Sequence, residues 1–437
     1  MRIDDKDRFL SPTNIRGFKA HTGFAWPLVE LGDIVTLHYG KSLTVEKRST
    51  GTIPVFGTNG ITGWHNQALA HGPTVILGRK GMGNLGVEWC DGPFWVIDTA
   101  YYTTIDETRL DYQYFYYFTS YVGLNHLKDG TSNPSLTRDR FGKQFIPLPP
   151  LPEQRAIAHI LGSLDDKIEA NRRMNATLEA TARALFKSWF VDFDPVHAKA
   201  RGEQPTGMDA ATAALFPDHF EDSELGPIPA GWRIESIGDH VRATKGLSYK
   251  GDFLVDSIED GIPMHNLNSI NEWGTYKFDG IKFYSGEYQA RHEVKPGDLI
   301  VANTEQGFDL LLIASPAIVP ATFGQTGIIS HHVYKVEIRR KSPLTRLFLY
   351  YQIMMSPFRD LLQGYTNGTT VNMLPADAFE RPQFVMPPAE LMQRFDEVIE
   401  PMLEQIERNY EQSRTLAETR DALLPRLVSG ELRVGEM

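Results

Sequence analysis

Cysteine is nearly missing: Cys90 is the single one in 437 residues. One thiol closes no disulfide and builds no thiolate metal cluster. A reducing, cytoplasmic setting therefore suits the chain. Cys90 lies in the strand-like run Val87-Glu88-Trp89-Cys90 and reads as a buried structural thiol. No run of about 18 apolar residues occurs, so no membrane span is expected. The charged start MRIDDKDRFL lacks an apolar signal core. Positive charge is also short, with 44 Lys and Arg against 55 Asp and Glu and a net charge of −11. That balance argues against a polyanionic partner until its distribution is considered. Residues 192–225 carry −6 and residues 389–437 carry −5, whereas residues 1–152 and 226–388 stand at +1 and −2 and hold 30 of the 44 cations. A polyanion meets local potential rather than net charge, so nucleic acid stays open as a partner.

Catalytic motifs are missing as well. Gly81-Met82-Gly83-Asn84-Leu85-Gly86 spells GxGxxG after a strand, but a second strand follows where a dinucleotide site needs a helix N-terminus. Gly40-Lys41-Ser42 imitates the end of a phosphate-binding loop, yet position 35 is Val rather than Gly. There is no HExxH, no GxSxG elbow, and no Asn/Asp-Pro-Pro-aromatic run of the kind that holds a base for amino-methylation. His331 and His332 are adjacent, which in a strand puts them on opposite faces and disfavours a shared metal. With no catalytic constellation, function is expected to lie in binding.

What is present is a repeat at an offset of 238 residues. Gly130-Thr131, Leu136, Asp139, Phe141, Pro149-Pro150, Ile157, Leu164, Ile168, Asn171, Leu178 and Leu185 return as Gly368-Thr369, Leu374, Asp377, Phe379, Pro387-Pro388, Phe395, Met402, Ile406, Asn409, Leu416 and Leu423. Trp26…Leu31-Gly32-Asp33 likewise returns as Trp232…Ile237-Gly238-Asp239. So long a period describes two globular-domain-plus-helix units rather than a solenoid. Residues 1–25 are polar and irregular. Short β-rich runs follow, such as Thr74–Gly78 and Phe94–Ile97, with an aromatic helical piece from Tyr112 to Tyr121. Residues 232–388 repeat the pattern, with a strand at Asp298–Ala302 and a helix at Leu344–Met355.

After each Pro-Pro a heptad seam begins. Positions 157, 161, 164, 168, 171, 175, 178, 182, 185 and 189 step by four and three without a break. The second seam, from Phe395 to Leu423, is interrupted by Gln405 and Gln412. Helices of about 34–37 residues span about 50–55 Å. Neither buries its stripe alone, so antiparallel pairing is expected, with Asn171 and Asn409 either fixing register or facing out at the seam's edge. The fold class is mixed α/β: two globular domains joined by two long antiparallel coiled-coil helices in a pseudo-two-fold repeat. The boundaries are a first domain at 1–152, a helix at 153–191, an acidic linker at 192–231, a second domain at 232–388, and a second helix with its tail at 389–437.

The junction Phe145-Ile146-Pro147-Leu148-Pro149-Pro150-Leu151-Pro152-Glu153-Gln154-Arg155, the run Ala184–Pro195, the linker Gly207–Pro229 and the terminal Leu424–Glu431 resemble the specificity subunits of type I restriction–modification enzymes. The second junction, Met386-Pro387-Pro388-Ala389-Glu390, lacks the Leu-Pro-Glu-Gln signature. The resemblance implies a non-catalytic chain whose two target-recognition domains each read half of a split, asymmetric duplex DNA sequence. It also implies two adenine-methyltransferase partners, two motor-nuclease subunits that can join, and S-adenosylmethionine, ATP and Mg²⁺ held by those partners and not by this chain. A helical pair of fixed length suits half-sites about 34 Å apart or a multiple of that. The rival expectation is a helical scaffold whose two domains bind ligands other than DNA.

Candidate contact residues follow. Arg79, Lys80 and Asn84 lie on a Gly-rich loop that either approaches phosphate and adenine or is a solvated hairpin. Lys41 and Ser42, and Lys245, Tyr249 and Lys250 in a broadly corresponding place, follow the two domain openings and either contact phosphate or are solvated strand ends. Asn303, Thr304 and Gln306, in Asn303-Thr304-Glu305-Gln306-Gly307, offer groups for base edges or form an ordinary polar turn. Arg138 and Arg140 are either further contacts or plain surface cations. Trp189, Phe190 and Phe193, beside Asp192, either face a methyltransferase partner or close the helix end against the core.

Overall fold

The computed structural model describes residues 26–306, 309–368 and 371–436. Residues 1–25, Gly307 and Thr369 lie outside the described residues. The chain divides into two compact units. One runs up to Ala170 and resumes at Gln412, and the other is Asn171–Glu411.

Both units are built on one topology. In the first, the antiparallel sheet runs Val35–Tyr39, Ala100–Ile105, Thr74–Gly78, Val87–Cys90. In the second it runs Val241–Lys245, Val333–Ile338, Leu299–Ala302, Pro316–Ile318. Each is thus ordered first, fourth, second, third along the chain. A second sheet in each unit holds a parallel pair, Ile53–Gly57 with Pro93–Val96 and Ile262–His265 with Gly327–Ile329. A short ladder joins domain entry to exit, Leu28–Glu30 with Phe145–Pro147 and Arg233–Ser236 with Gln383–Met386. Thr74–Gly78 and Leu299–Ala302 are buried at every position, which explains their unbroken apolar run. The edge strand Val35–Tyr39 alternates, with Val35 and Leu37 inward and Thr36 outward. The units differ in their connections. Where the first has a tight hairpin between Gly57 and Gly60, the second inserts residues 266–281.

The helix α1 (Tyr112–Val122) starts where the Asp111 carboxylate accepts from the amides of Gln113 and Tyr114. Next, α2 (Leu151–Phe190) follows the first Pro-Pro. Gln154 is fully buried in its first turn, donating to the carbonyls of Arg109 and Pro149 and accepting from the Asp111 amide, all at 2.8 Å. In the second unit α3 (Arg346–Met354) takes the place of α1, and α4 (Ala389–Ser429) that of α2. Met392 stands 238 residues after Gln154 and is equally buried. An apolar contact there replaces the hydrogen-bonded anchor, which accounts for the altered second junction.

The long helices pair antiparallel. Within the second unit the Asn171 amide reaches the Asn409 carbonyl at 3.4 Å and the Asn175 amide reaches that of Ile406 at 3.2 Å. Within the first, Arg420 bonds Asp165 at 2.5 Å. Asn171 and Asn409 are 1% and 4% exposed, so both sit inside the seam. The helix ends are shared out between the units. Phe186, Trp189 and Phe190 of α2 enter the core of the second unit. Their equivalents at offset 238, Leu424, Leu427 and Val428 of α4, enter the core of the first. The linker contributes two short helices, Asp194–Ala200 and Ala210–Ala214.

Candidate nucleic-acid interface

In the first unit three segments are tied together at the turn after Pro93–Val96. The Lys41 amide donates to Val96 O at 2.8 Å, the Arg79 amide to Thr99 O at 2.9 Å, and the Arg79 guanidinium to Asp98 O at 2.9 Å. The second unit repeats the frame with other residues. The Leu247 amide donates to Ile329 O at 2.7 Å, the Asn303 amide to His332 O at 3.0 Å, and the Asn303 side chain to His331 O at 3.2 Å. A strap closes both. Leu136 N bonds Arg79 O, and Tyr101 Oη bonds Leu136 O at 3.2 Å. Leu374 N bonds Asn303 O, and Tyr334 Oη bonds Leu374 O at 2.9 Å. Glycine is required where the edge strand leaves the sheet. A Cβ on Gly40 meets Ile97 O at 2.0 Å, and one on Gly246 meets Ser330 O at 2.3 Å.

On this common frame the two units present different side chains. In the first, the exposed Tyr39 ring has Arg79 at 4.7 Å and Arg138 at 4.2 Å from its centroid. Lys80 pairs with Asp98 at 3.7 Å. Lys128 holds the Gly-rich loop by donating to Gly81 O and Gly83 O at 3.3 and 2.9 Å. In the second, the exposed Lys245 faces His331 and His332, whose rings lie 3.8 Å apart. Both imidazoles are held below the usual range, by burial first, with Lys245 adding to it, so they are neutral at pH 7. Tyr249 sits 6.0 Å from His331 and 5.9 Å from the Lys282 ammonium.

The sequence candidates distribute unevenly over this surface. Lys41, Ser42, Lys245, Lys250 and Gln306 are exposed, and Arg79, Lys80 and Tyr249 are half-buried. Asn84 is exposed, but Asn125 already donates to its amide oxygen at 2.9 Å. Asn303 and Thr304 are corrected: they are 0% and 3% exposed, spent on the turn at 331–332 and on each other, and offer nothing to a base edge. Glu305 is half-buried and is spent within the unit too, accepting from the amides of Leu311, Leu312 and Ile313. Trp189 and Phe190 are corrected too. They lie in the second unit's core, where apolar area is worth more than on a surface, so they offer no patch to a partner. Asp192 stays exposed, paired with Lys187, and the half-buried Phe193 packs on Trp232 and Phe220. His331 and His332 occupy a turn rather than a strand, so their rings meet instead of diverging. Tyr39 was missed. Its signal was a Tyr directly before the Gly40-Lys41-Ser42 strand exit, readable only once Arg79 and Arg138 are known to converge on it. Among the described residues no group of three or more His, Cys, Asp or Glu is placed to hold a metal, and no helix is long and apolar enough to cross a membrane.

Residues 25–180 match the family model described as the type I restriction modification DNA specificity domain. That segment therefore carries a type I restriction–modification DNA specificity domain. The chain is 27% identical over 340 residues to the MjaIX specificity subunit of Methanocaldococcus jannaschii, covering 74% of this chain and 70% of that one. Against the HindI specificity subunit of Haemophilus influenzae it is 26% identical over 347 residues, covering 68% and 71%. The crystal structure of a type I S subunit from M. genitalium superposes with a TM-score of 0.58 at 14% identity, over 93% of this chain and 96% of that one, which speaks to the fold alone. The family match ends at residue 180, and the repeated strand order extends the same fold to the second unit.

Proposed function

We propose that this chain is the DNA-reading subunit of a type I restriction–modification complex and reads a bipartite, asymmetric duplex target, one half with each unit. The observation that carries the reading is the doubled frame with unlike faces. One strand order, one glycine exit and one tyrosine strap recur, while Tyr39 and Arg79 in the first unit are matched by Lys245 and Asn303 in the second. Equal scaffolds with unequal surfaces suit a split target whose halves differ. The continuous helices α2 and α4 act as the ruler between half-sites. In this reading the chain has no catalytic site of its own and works in the cytoplasm. It recruits two adenine-methyltransferase subunits and admits two motor-nuclease subunits, and S-adenosylmethionine, ATP and Mg²⁺ are held by those partners.

The test is to map methylated adenines in cells carrying the natural chain, no chain, or a chain with one heptad inserted in both helices. Seven residues add about 10 Å of helix, or about three base pairs at 3.4 Å. The gap should widen by about that much while each half-site keeps its sequence. Altered half-sites would refute the ruler. Methylation that does not depend on the chain, with no sequence-selective duplex binding, would leave the scaffold reading in its place.

A further inference from the structure

Two guanidiniums, Arg79 and Arg138, lie against the Tyr39 ring at 4.7 and 4.2 Å from its centroid. They come from different segments and lie no more than about 9 Å apart, comparable to the Debye length of about 8 Å at physiological salt. Like charges so placed repel unless an anion joins them. Among the described residues neither forms an ion pair, and the nearby carboxylates are engaged elsewhere: Asp98 with Lys80, Asp129 with Arg140, Asp139 with Lys143. Tyr39 is 50% exposed, Arg138 is exposed and Arg79 half-buried, so the cations beside the ring are reached from solvent. Each cation is held there for a reason. Arg79 is fixed by its bond to Asp98 O, and Arg138 opens a helical turn capped by Thr137. Its charge also reaches His38, which stands below the usual imidazole range, by burial first and then by Arg138.

We propose that Arg79 and Arg138, gathered at Tyr39, seat a backbone phosphodiester of the DNA duplex, and that this seat exists in the first unit only. Guanidinium forks match phosphate oxygens in geometry and charge. The second unit has Lys245 in the place of Tyr39, the buried Asn303 in that of Arg79 and Ala376 in that of Arg138. The two half-sites are therefore gripped with unequal electrostatic weight. The inference rests on the DNA-reading proposal and adds to it a named contact.

The test uses the full chain assembled with its methyltransferase subunits. Binding to a labelled mixed-sequence duplex of about 30 base pairs is followed by anisotropy as salt rises from about 50 to 200 mM. Loss of one phosphate contact lowers the slope of log K against log salt by about 0.9 and weakens binding about five-fold at 0.15 M. Arg138→Ala is expected to do both, and Arg138→Lys, which keeps the charge, to restore the slope. Arg155→Ala is the control. That residue lies 4.0 Å from Asp111, beyond the far end of strand Ala100–Ile105, and should change neither quantity. An unchanged slope for Arg138→Ala, or an equal loss for Arg155→Ala, overturns the seat while leaving DNA reading intact. Inorganic phosphate that binds at the seat, and is lost in Arg138→Ala, while leaving duplex affinity at matched ionic strength unchanged assigns the seat to a free anion and overturns the proposal. No duplex binding by the unsubstituted assembly overturns both readings.

Discussion

Replacing Asn409 with alanine probes how the long helices hold their register. The Asn409 amide donates to the Asn175 oxygen at 2.7 Å, and its own oxygen accepts from Gln405 at 2.7 Å. Its backbone carbonyl, which receives Asn171 at 3.4 Å, survives the substitution. Asn409→Ala therefore strips two partners, Asn175 and Gln405, both half-buried. A stranded polar group costs about 1–3 kcal/mol when buried, and partial access to water puts these at the low end. Alanine returns a few tenths through helix propensity. The net cost is about 2 kcal/mol, or roughly thirty-fold in the local opening equilibrium. Hydrogen exchange read by mass spectrometry on peptides covering 165–180 and 400–415 measures it directly. Asn175→Leu combined with Asn409→Leu removes both faces of the contact and should regain most of the protection, because apolar seams lose register rather than stability. Protection in Asn409→Ala within about two-fold of the natural chain would show that the amides do not clasp the helices.

Two further outcomes follow from burial. Trp189→Ala should open a cavity in the second unit's core and cost about 3–5 kcal/mol, so thermal melting drops sharply; an unchanged melt with lost methyltransferase assembly would restore the surface-patch reading. His265 is wholly buried, 2.8 Å from the Tyr276 hydroxyl, and burial holds its pKa at about 3. The unfolded chain takes up that proton near 6.5, so His265 contributes its full stability above pH 6.5 and loses it as pH falls toward 3. The loss reaches about 3 kcal/mol by pH 4. His265→Gln should flatten the dependence of urea midpoint on pH over that range, and an unaltered pH slope would contradict the assignment.

Much of the architecture was legible because it rests on periodicity. A four-three seam that ran unbroken from Ile157 to Trp189 had to be a long helix with one buried face, and the helix observed is Leu151–Phe190. Strands Thr74–Gly78 and Leu299–Ala302 were visible as apolar runs. The candidate contacts were less legible because exposure is not local. Asn303 looks like a base reader in sequence, yet it does in the second unit what Arg79 does in the first, holding a turn carbonyl. Trp189 and Phe190 looked equally suited to a partner or a core, since aromatic side chains serve both.

The amino-acid order alone settled that the molecule is doubled, that each half ends in a rod, and that no catalytic constellation is spelled out along the chain. Those properties depend on spacing, which a linear text preserves. Only the folded chain decided which core each rod end enters, that Met392 replaces the Gln154 anchor, and that Tyr39, Arg79 and Arg138 converge. The last three stand 39 residues from the start of the numbering, beside a second strand exit, and at the head of a short helix. Long-range strand pairing brings them together, and a sequence does not show which distant segments pair.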